Sequence, residues 1–568
     1  MGAVLVFGCG RGGSAPRTAS AASAAPAARS VLLVTIDTLR ADRLGCYGDT
    51  RARTPRIDAL AAGGTAFERA FTAVPITLAA HASLFTGLIP PAHGVRGNGA
   101  FALAAGVATL AEAMSSSGRS TAAFVGGFPL ARRFGLDRGF GHYDDRMGKP
   151  SGVHYEFAER RADAVVDAAI GWLAARPGDV FVWVHLFDPH APYDPPPAFA
   201  GGDPYRGEIA AVDAAVGRLL DAWNARPGPA TVALTADHGE AFGEHGEESH
   251  SLFLYDVTLR VPLVLRGSGV PAASRRPEPV SLVDLGATLL SLAGAPASLP
   301  GASLLGAADA ARPLYAETLA PRFDFGWSEL RAIRAGRHKF IRAPRSELYD
   351  VEADPGEMRN LAGAQPEVVA RLSAALDTVL SAAGEAQTRR AVDPETAERL
   401  RSLGYVQGVG EGGTGADPKD KVEVARRIAR AAGPFRDHAA AAAAYREIAA
   451  LDPDVPVVNF RLADALLRSG RPAESIPYYR KVLAASPRTA DPFVGLATAQ
   501  AGLGRLDDAA RVLTEGLRVD PASGQAHFNL GEIARVRGDR AAARRAYEAA
   551  RADPITRDRA EARLATLR

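Results

Sequence analysis

Cysteine is nearly missing: there are two in 568 residues. That excludes a disulfide framework as the source of stability. Neither sign of charge is in excess. The 66 basic residues face 64 acidic ones, for a net charge of +2, so no global field draws the chain to nucleic acid or to an anionic membrane. Long hydrophobic runs are also lacking. No stretch of ~20 residues is apolar enough to span a bilayer, and no transmembrane helix is expected. What remains is an ordinary globular composition, 47% hydrophobic, in a chain too long for one domain.

Among the short apolar runs, two end in carboxylates. Val31-Leu32-Leu33-Val34-Thr35-Ile36 is followed by Asp37, and Thr231-Val232-Ala233-Leu234-Thr235-Ala236 by Asp237-His238-Gly239-Glu240. Continuous aliphatic and β-branched runs of this length read as strands buried on both faces of a parallel sheet. Open α/β sheets bind ligands at the carboxyl ends of their strands. Two carboxylates and an imidazole meeting there can hold a divalent cation, with Ca2+, Mn2+ and Zn2+ as candidates. A third such run, residues 180–186, leads to Asp188 and His190 and is expected to deliver both to the same edge. Thr77 opens a predicted helix, Thr77-Leu78-Ala79-Ala80-His81-Ala82-Ser83-Leu84-Phe85-Thr86-Gly87, whose first amides suit an anion. Residues 159–175 and 208–225 read as amphipathic helices. Each feature has an ordinary explanation when taken singly. Asp37 and Thr77 are good helix caps, Asp237-His238-Gly239 is a good turn, and His81, His250 and His338 suit structural or rim positions. Their joint occurrence at predicted strand ends is what points to a site.

The segments Thr35-Ile36-Asp37-Thr38-Leu39-Arg40-Ala41-Asp42, Leu44-Gly45-Cys46-Tyr47-Gly48, Thr54-Pro55-Arg56-Ile57-Asp58, Asp188-Pro189-His190-Ala191-Pro192-Tyr193, Leu259-Arg260-Val261-Pro262-Leu263 and Glu347-Leu348-Tyr349-Asp350-Val351-Glu352-Ala353-Asp354-Pro355-Gly356 occur in that order. Together they resemble the sulfatase family of the alkaline phosphatase superfamily, over residues 30–381. The resemblance implies an α/β sandwich with a mostly parallel central sheet and a small C-terminal sheet. It also implies a metallohydrolase of phosphate or sulfate esters.

The departures are informative. Thr77 stands where the family carries the Cys or Ser that becomes formylglycine, Ala79 replaces its proline and His81 its arginine. Thr38 replaces a second acidic residue. The lysine often found after Asp-His-Gly is missing, with His250 nearby instead. Threonine cannot become formylglycine. The site therefore resembles threonine-nucleophile branches of the superfamily, which act on phosphate diesters, phosphonates or phospholipid headgroups. On that basis Asp37, Thr77, Asp237 and His238 are the expected metal ligands and Thr77 the nucleophile. His190 would protonate the leaving group or orient the ester, His81 would contact a substrate oxygen, and His250 would contact substrate or a second metal. A headgroup transferase and a scaffold with a decayed site are the alternatives.

Beyond residue 382 the pattern changes. Gly470, Gly504 and Gly538 recur every 34 residues, as do Pro453, Pro487 and Pro521. Leu462, Leu496 and Leu530, then Tyr479, Leu513 and Tyr547, keep the same phase. This resembles the tetratricopeptide repeat: an all-α solenoid, expected to bind a protein or peptide partner. Tyr445 and Pro453 suggest an earlier, degenerate repeat.

The expected domains are a tail at 1–29, a catalytic domain at 30–382, a linker at 383–420 containing a Gly-rich stretch, and repeats at 421–568. A linker of this kind predicts that removing everything after Leu400 leaves small-substrate activity. The tail ends an apolar run at Cys9, resembling a bacterial lipoprotein signal with a lipid anchor there. That suggests a periplasmic or cell-envelope location, or a cytoplasmic one if the segment is not a signal.

Overall fold

A computed structural model describes residues 28–147, 159–306, 312–386, 396, 399–400, 415–431, 437–487, 490–553 and 556–567. Cys9 and the tail up to residue 27 lie outside the described residues. None of the described helices is long and apolar enough to cross a membrane.

Eight strands form the main sheet: β1 (Ser30–Ile36), β2 (Thr65–Phe71), β3 (Ser120–Val125), β4 (His142–Asp144), β5 (Val180–Leu186), β6 (Ala230–Ala236), β7 (Arg260–Gly267) and β8 (Ser274–Ser281). Their order is β4-β3-β5-β1-β6-β7-β2-β8. Pairings are parallel except those that β7 makes with β6 and β2. β1 and β5 are buried at every position, as their unbroken apolar runs require when helices cover both faces. Because β1 lies between β5 and β6, the residues just beyond these three strands share one edge. Asp37 and Asp237 therefore emerge from neighbouring strands although 200 residues apart in sequence.

The two amphipathic helices differ slightly from expectation. They span Ala162–Ala174 and Pro204–Asn224. The second starts early because Pro204 is set for the first turn and the Asp203 side chain accepts from the Tyr205 amide. Asp188 does not reach the site. Its two oxygens accept from the Ala162 amide at 2.8 and 3.1 Å, and Arg161 pairs with it. It anchors the start of a helix, a role that a motif on a strand end does not reveal.

A small antiparallel sheet, β12-β11-β10-β9, follows: β9 (Leu314–Thr318), β10 (Leu330–Ala335), β11 (His338–Arg342) and β12 (Glu347–Asp350). His338 lies at its rim, half-buried.

The C-terminal helices stack in antiparallel pairs, Pro456–Arg468 with Pro472–Ala485, Asp491–Gly502 with Leu506–Val519, and Gly524–Val536 with Arg540–Ala550. The degenerate first repeat is the pair Val422–Ala431 and His438–Leu451. Its apolar face does not end at solvent. Val424, Ile428 and Tyr445, with Val458 and Leu462 of the next helix, share one buried cluster with Phe253, Tyr255, Trp327 and Tyr349 of the first half. The Ser328 amide donates to the Ala416 carbonyl at 2.9 Å. Lys419 pairs with Glu347 at 2.8 Å, and Arg426 and Arg430 with Glu248 at 3.0 and 2.7 Å. The sequence suggests separable modules; packing makes them continuous.

Candidate active site

Asp37, Asp237 and His238 converge as the strand order dictates, with one ligand atom from each lying within 4.8 Å of the others. All three are buried. His238 Nε2 is 3.5 Å from Asp237 Oδ2 and 3.9 Å from Asp37 Oδ1. Burial and the adjacent Asp237 carboxylate hold Asp37 well above the ordinary carboxylate range. Two carboxylates this close in a dry pocket do not both keep their charge without a counterion.

The backbone at this point is strained. Thr38 has φ +51°, which is costly for a β-branched residue. Three hydrogen bonds hold it: its amide donates to Asp237 Oδ1 (3.3 Å), its hydroxyl to the Pro189 carbonyl (2.7 Å), and its carbonyl accepts from the Tyr205 hydroxyl (2.6 Å). The strained turn thus ties together the ends of β1, β5 and β6.

Thr77 is the first residue of the helix Thr77–Thr86 and is fully buried. Its carbonyl accepts from His81 Nδ1 at 2.8 Å, and the same His81 atom lies 3.8 Å from Asp237 Oδ2. His81 does not take the position expected of a substrate contact. Both ring nitrogens bond within the protein, Nδ1 to Thr77 and Nε2 to the Thr35 hydroxyl at 3.1 Å. Burial pulls its pKa down to about 3, so the ring is neutral. It braces the Thr77 turn against β1.

His190 and His250 face each other with ring centroids 5.3 Å apart, and His250 lies 4.4 Å from the His238 ring. His190 stacks on Phe187 and donates from Nδ1 to the Ala191 carbonyl at 2.7 Å. His250 Nδ1 bonds Glu240 Oε1 at 3.1 Å, and the Tyr193 hydroxyl donates to Glu240 Oε2, also at 3.1 Å. Burial raises the Glu240 carboxyl to about 7. These residues sit at the base of a loop closed by Ala241 N to Ser249 O and Gly243 N to Glu247 O bonds, each 2.7 Å.

Two residues at this edge were not legible as site residues. Glu240 stood in the Asp237 motif without a role. His185 lies inside β5, fully buried, with Nε2 3.4 Å from Asp37 Oδ2. Its only signal was an ionisable side chain in an otherwise apolar run.

Whether these residues suit a metal can be tested on their hydrogen bonds. Five buried atoms here have no hydrogen-bond partner: Asp37 Oδ1 and Oδ2, Asp237 Oδ2, His185 Nε2 and His238 Nε2. Buried polar atoms are ordinarily paired. A cluster of unpaired carboxylate oxygens and imidazole nitrogens is a donor set for a divalent cation, so the residues fit one.

Residues 29–295 match the sulfatase family. This is a sulfatase-family domain. Residues 426–489 and 466–530 match tetratricopeptide repeats. The chain is 25% identical over 476 residues to a Δ4,5-hexuronate-2-O-sulfatase of Bacteroides thetaiotaomicron, covering 69% of this chain and 97% of that protein. It is 30% identical over 166 residues to arylsulfatase K of Mus musculus, covering 26% of this chain and 30% of the mouse protein. A solved phosphonate monoester hydrolase of Agrobacterium radiobacter superimposes with TM-score 0.54 at 22% identity, over 62% of this chain and 96% of its own. That last likeness concerns the fold. The sulfatase domain makes this protein an ester hydrolase.

Proposed function

We propose that the sulfatase domain is a metal-dependent hydrolase that cleaves phosphate or phosphonate esters, and sulfate esters more slowly, through a covalent ester on Thr77. The observation that carries the reading is the buried cluster of unpaired carboxylate oxygens and imidazole nitrogens beside the helix that Thr77 opens. Asp37, Asp237 and His238 would hold the cation, with the Thr77 oxygen completing the shell. When bound, such a cation lowers the pKa of a hydroxyl and offsets charge that builds up on the ester oxygens.

The chain's own groups supply the rest. Thr77 Oγ1 gives up its proton to solvent and attacks phosphorus in line; its bond to phosphorus forms and the bond to the leaving oxygen breaks. The leaving oxygen takes a proton from the His190–His250 side of the site, where His250 Nδ1 is hydrogen-bonded to the buried Glu240 carboxyl. Water then cleaves the Thr77 ester. His81 and Thr38 position Thr77 and Asp237 and need not touch substrate.

The preference for phosphorus follows from Thr77. A sulfated formylglycine hydrate can expel sulfate by collapse of a hemiacetal, whereas a sulfated threonine has no such route and requires attack at sulfur. The repeats would add binding of a protein or peptide partner.

The test is a set of initial rates, after metal loading, on aryl phosphate monoester, phosphodiester, phosphonate and sulfate substrates that share one leaving group. Phosphorus esters should be cleaved faster than the sulfate. Dominant sulfate cleavage would overturn the Thr77 argument. Thr77→Ala should lose at least ~1000-fold in kcat, on the scale of losing a covalent nucleophile, with the fold and most of the metal retained through Asp37, Asp237 and His238. A near-normal rate would remove Thr77 from the mechanism.

A further inference from the structure

We propose that Val422, Arg426 and Arg430 of the first repeat helix are positioning residues for the sulfatase site, holding the loop at 240–250 so that Glu240 and His250 keep their places. The proposal rests on the reading of His250 as part of the proton-supplying side of the site, and it adds residues from a different domain.

The loop moves as one piece. Its two arms are tied by the Ala241 N to Ser249 O and Gly243 N to Glu247 O bonds, each 2.7 Å. At the base, Glu240 Oε1 and His250 Nδ1 are 3.1 Å apart. The backbone is also strained. His245 at the tip has φ +52°, and Ser251 just past the base has φ +80°. Residues with a Cβ stay left-handed only where their surroundings over-determine them.

Those surroundings come from two sides. On the sulfatase side, the His245 ring stacks on Tyr255 with centroids 3.6 Å apart, and its Nε2 donates to the Gly356 carbonyl at 3.1 Å. Arg40 donates to the Glu240 carbonyl at 3.1 Å and to Glu244 Oε1 at 2.7 Å. The Thr318 hydroxyl donates to the Ser251 carbonyl.

The other side is the repeat helix Val422–Ala431. Gly246 sits so close that a Cβ there would lie 2.5 Å from Val422 Cγ1. Glu248 pairs with Arg426 at 3.0 Å and Arg430 at 2.7 Å. Positions 422, 426 and 430 form one stripe of the helix, and that stripe meets the loop. The opposite stripe, Val424 and Ile428, lies in the cluster with Phe253 and Tyr255, which fixes the helix against the sulfatase half. Arg427 turns aside to pair with Glu423 of its own helix at 2.8 Å. Glu248 is two residues from His250, so a shift at this contact reaches the imidazole through tied backbone. Part-exposed ion pairs add little to stability, whereas a ~1 Å misplacement of a reacting group can cost as much as ~100-fold in rate.

The double variant Arg426→Ala/Arg430→Ala removes both pairs and keeps a good helix former at each position. It is compared with the wild type as full chains, after metal loading, on whichever phosphate, phosphonate or sulfate ester the wild type cleaves fastest. Its kcat should fall ~10-fold with KM within about twofold, the pattern of a misplaced group that acts in the transition state. Its thermal midpoint should stay within about 2 °C. Amide exchange across residues 241–249 should quicken at least ~10-fold. Val422→Ala, which empties the seat of Gly246, should move kcat and exchange in the same direction. Arg426→Lys/Arg430→Lys, which keeps the pairs, should recover most of the lost rate. Arg427→Ala removes the same charge from the same helix without touching the loop, and should change neither rate nor exchange.

Faster exchange with wild-type kcat would mean that turnover ignores the loop's position. A lower kcat with wild-type exchange would mean that the arginines act by another route. An equal loss in Arg427→Ala would trace the effect to helix charge. Each overturns the proposal and leaves the hydrolase reading standing. A wild-type protein that cleaves none of the esters overturns that reading instead, and the exchange comparison then still decides whether the repeat helix holds the loop.

Discussion

Glu247 shows what burial does to one residue near the site. Its side chain is buried, with Oε1 accepting from the Leu252 and Phe253 amides at 2.6 and 3.4 Å and Oε2 unpartnered. Burial pushes its pKa up to about 8. An acid whose folded pKa is raised stabilises the fold fully only below its unfolded pKa, about 4.5. As pH rises from there to about 8, the unfolded chain ionises first and stability is lost. Glu247→Gln cannot ionise and keeps an oxygen for the two amides. Relative to wild type, the variant should gain stability steadily between pH 5 and 8, by on the order of a few kcal/mol. Any fixed cost of the amide shifts both ends equally. Denaturant melts across that range measure the slope, and a pH-independent difference would show that Glu247 ionises normally in the folded protein. His81 makes a related point: it looks like a substrate contact in sequence, yet its bonds are spent on holding neighbours in position.

At the scale of elements, the 34-residue period has a backbone cause. Gly470, Gly504 and Gly538 follow the first helix of each pair and adopt φ of +76°, +76° and +75°. Nothing lies within 4 Å of where a Cβ would be, so space is not the constraint; the left-handed conformation is. Gly504→Ala should cost about 1 kcal/mol through backbone strain alone, visible as a lower thermal midpoint with unchanged helix content. The same change at Gly538 should add to it, as expected for repeats that contact only their neighbours. A neutral result at both positions would mean the turns relax and the period reflects packing alone. The strands obey a different constraint. β1 and β5 are buried on both faces, so an ionisable residue such as His185 is tolerated there only if its polar atoms are accounted for.

At the scale of the whole molecule, the first repeat helix and the site share a loop. Glu240 and His250 stand at its base. At its tip, Gly246 meets Val422 so closely that a Cβ would lie 2.5 Å from Val422 Cγ1. Glu248 pairs with Arg426 and Arg430. Half-exposed ion pairs contribute little by themselves, but the apolar cluster beneath, with Phe253, Tyr255 and Trp327, contributes more. Uncovering even part of it costs on the order of several kcal/mol. Deleting residues 415–568 should therefore lower the melting temperature of the sulfatase domain by ~10 °C or more and reduce kcat. Calorimetry of the full chain should show the first repeat melting together with the sulfatase domain. A truncated protein that melts and turns over like the full chain would restore the picture of separable modules that the Gly-rich linker suggests.

Local pattern alone determined a good deal of this protein. Unbroken aliphatic runs specify doubly buried parallel strands, and parallel strands present their carboxyl ends as a site, so Asp37, Asp237 and His238 could be grouped 200 residues apart. A strict 34-residue recurrence of glycine and proline specifies stacked helix pairs, because no single pair can bury its own face. Tertiary structure decided what depends on a specific neighbour. His185 is held by Thr35, which is 150 residues away and was an unremarked strand residue. Asp188 went to a helix start instead of the site because the Ala162 amide lay within reach. The first repeat shares a second buried cluster with the sulfatase half because its apolar face met Phe253 and Tyr255. Periodicity records which way a side chain faces; only packing supplies the hydrogen-bond partner or apolar surface it meets there.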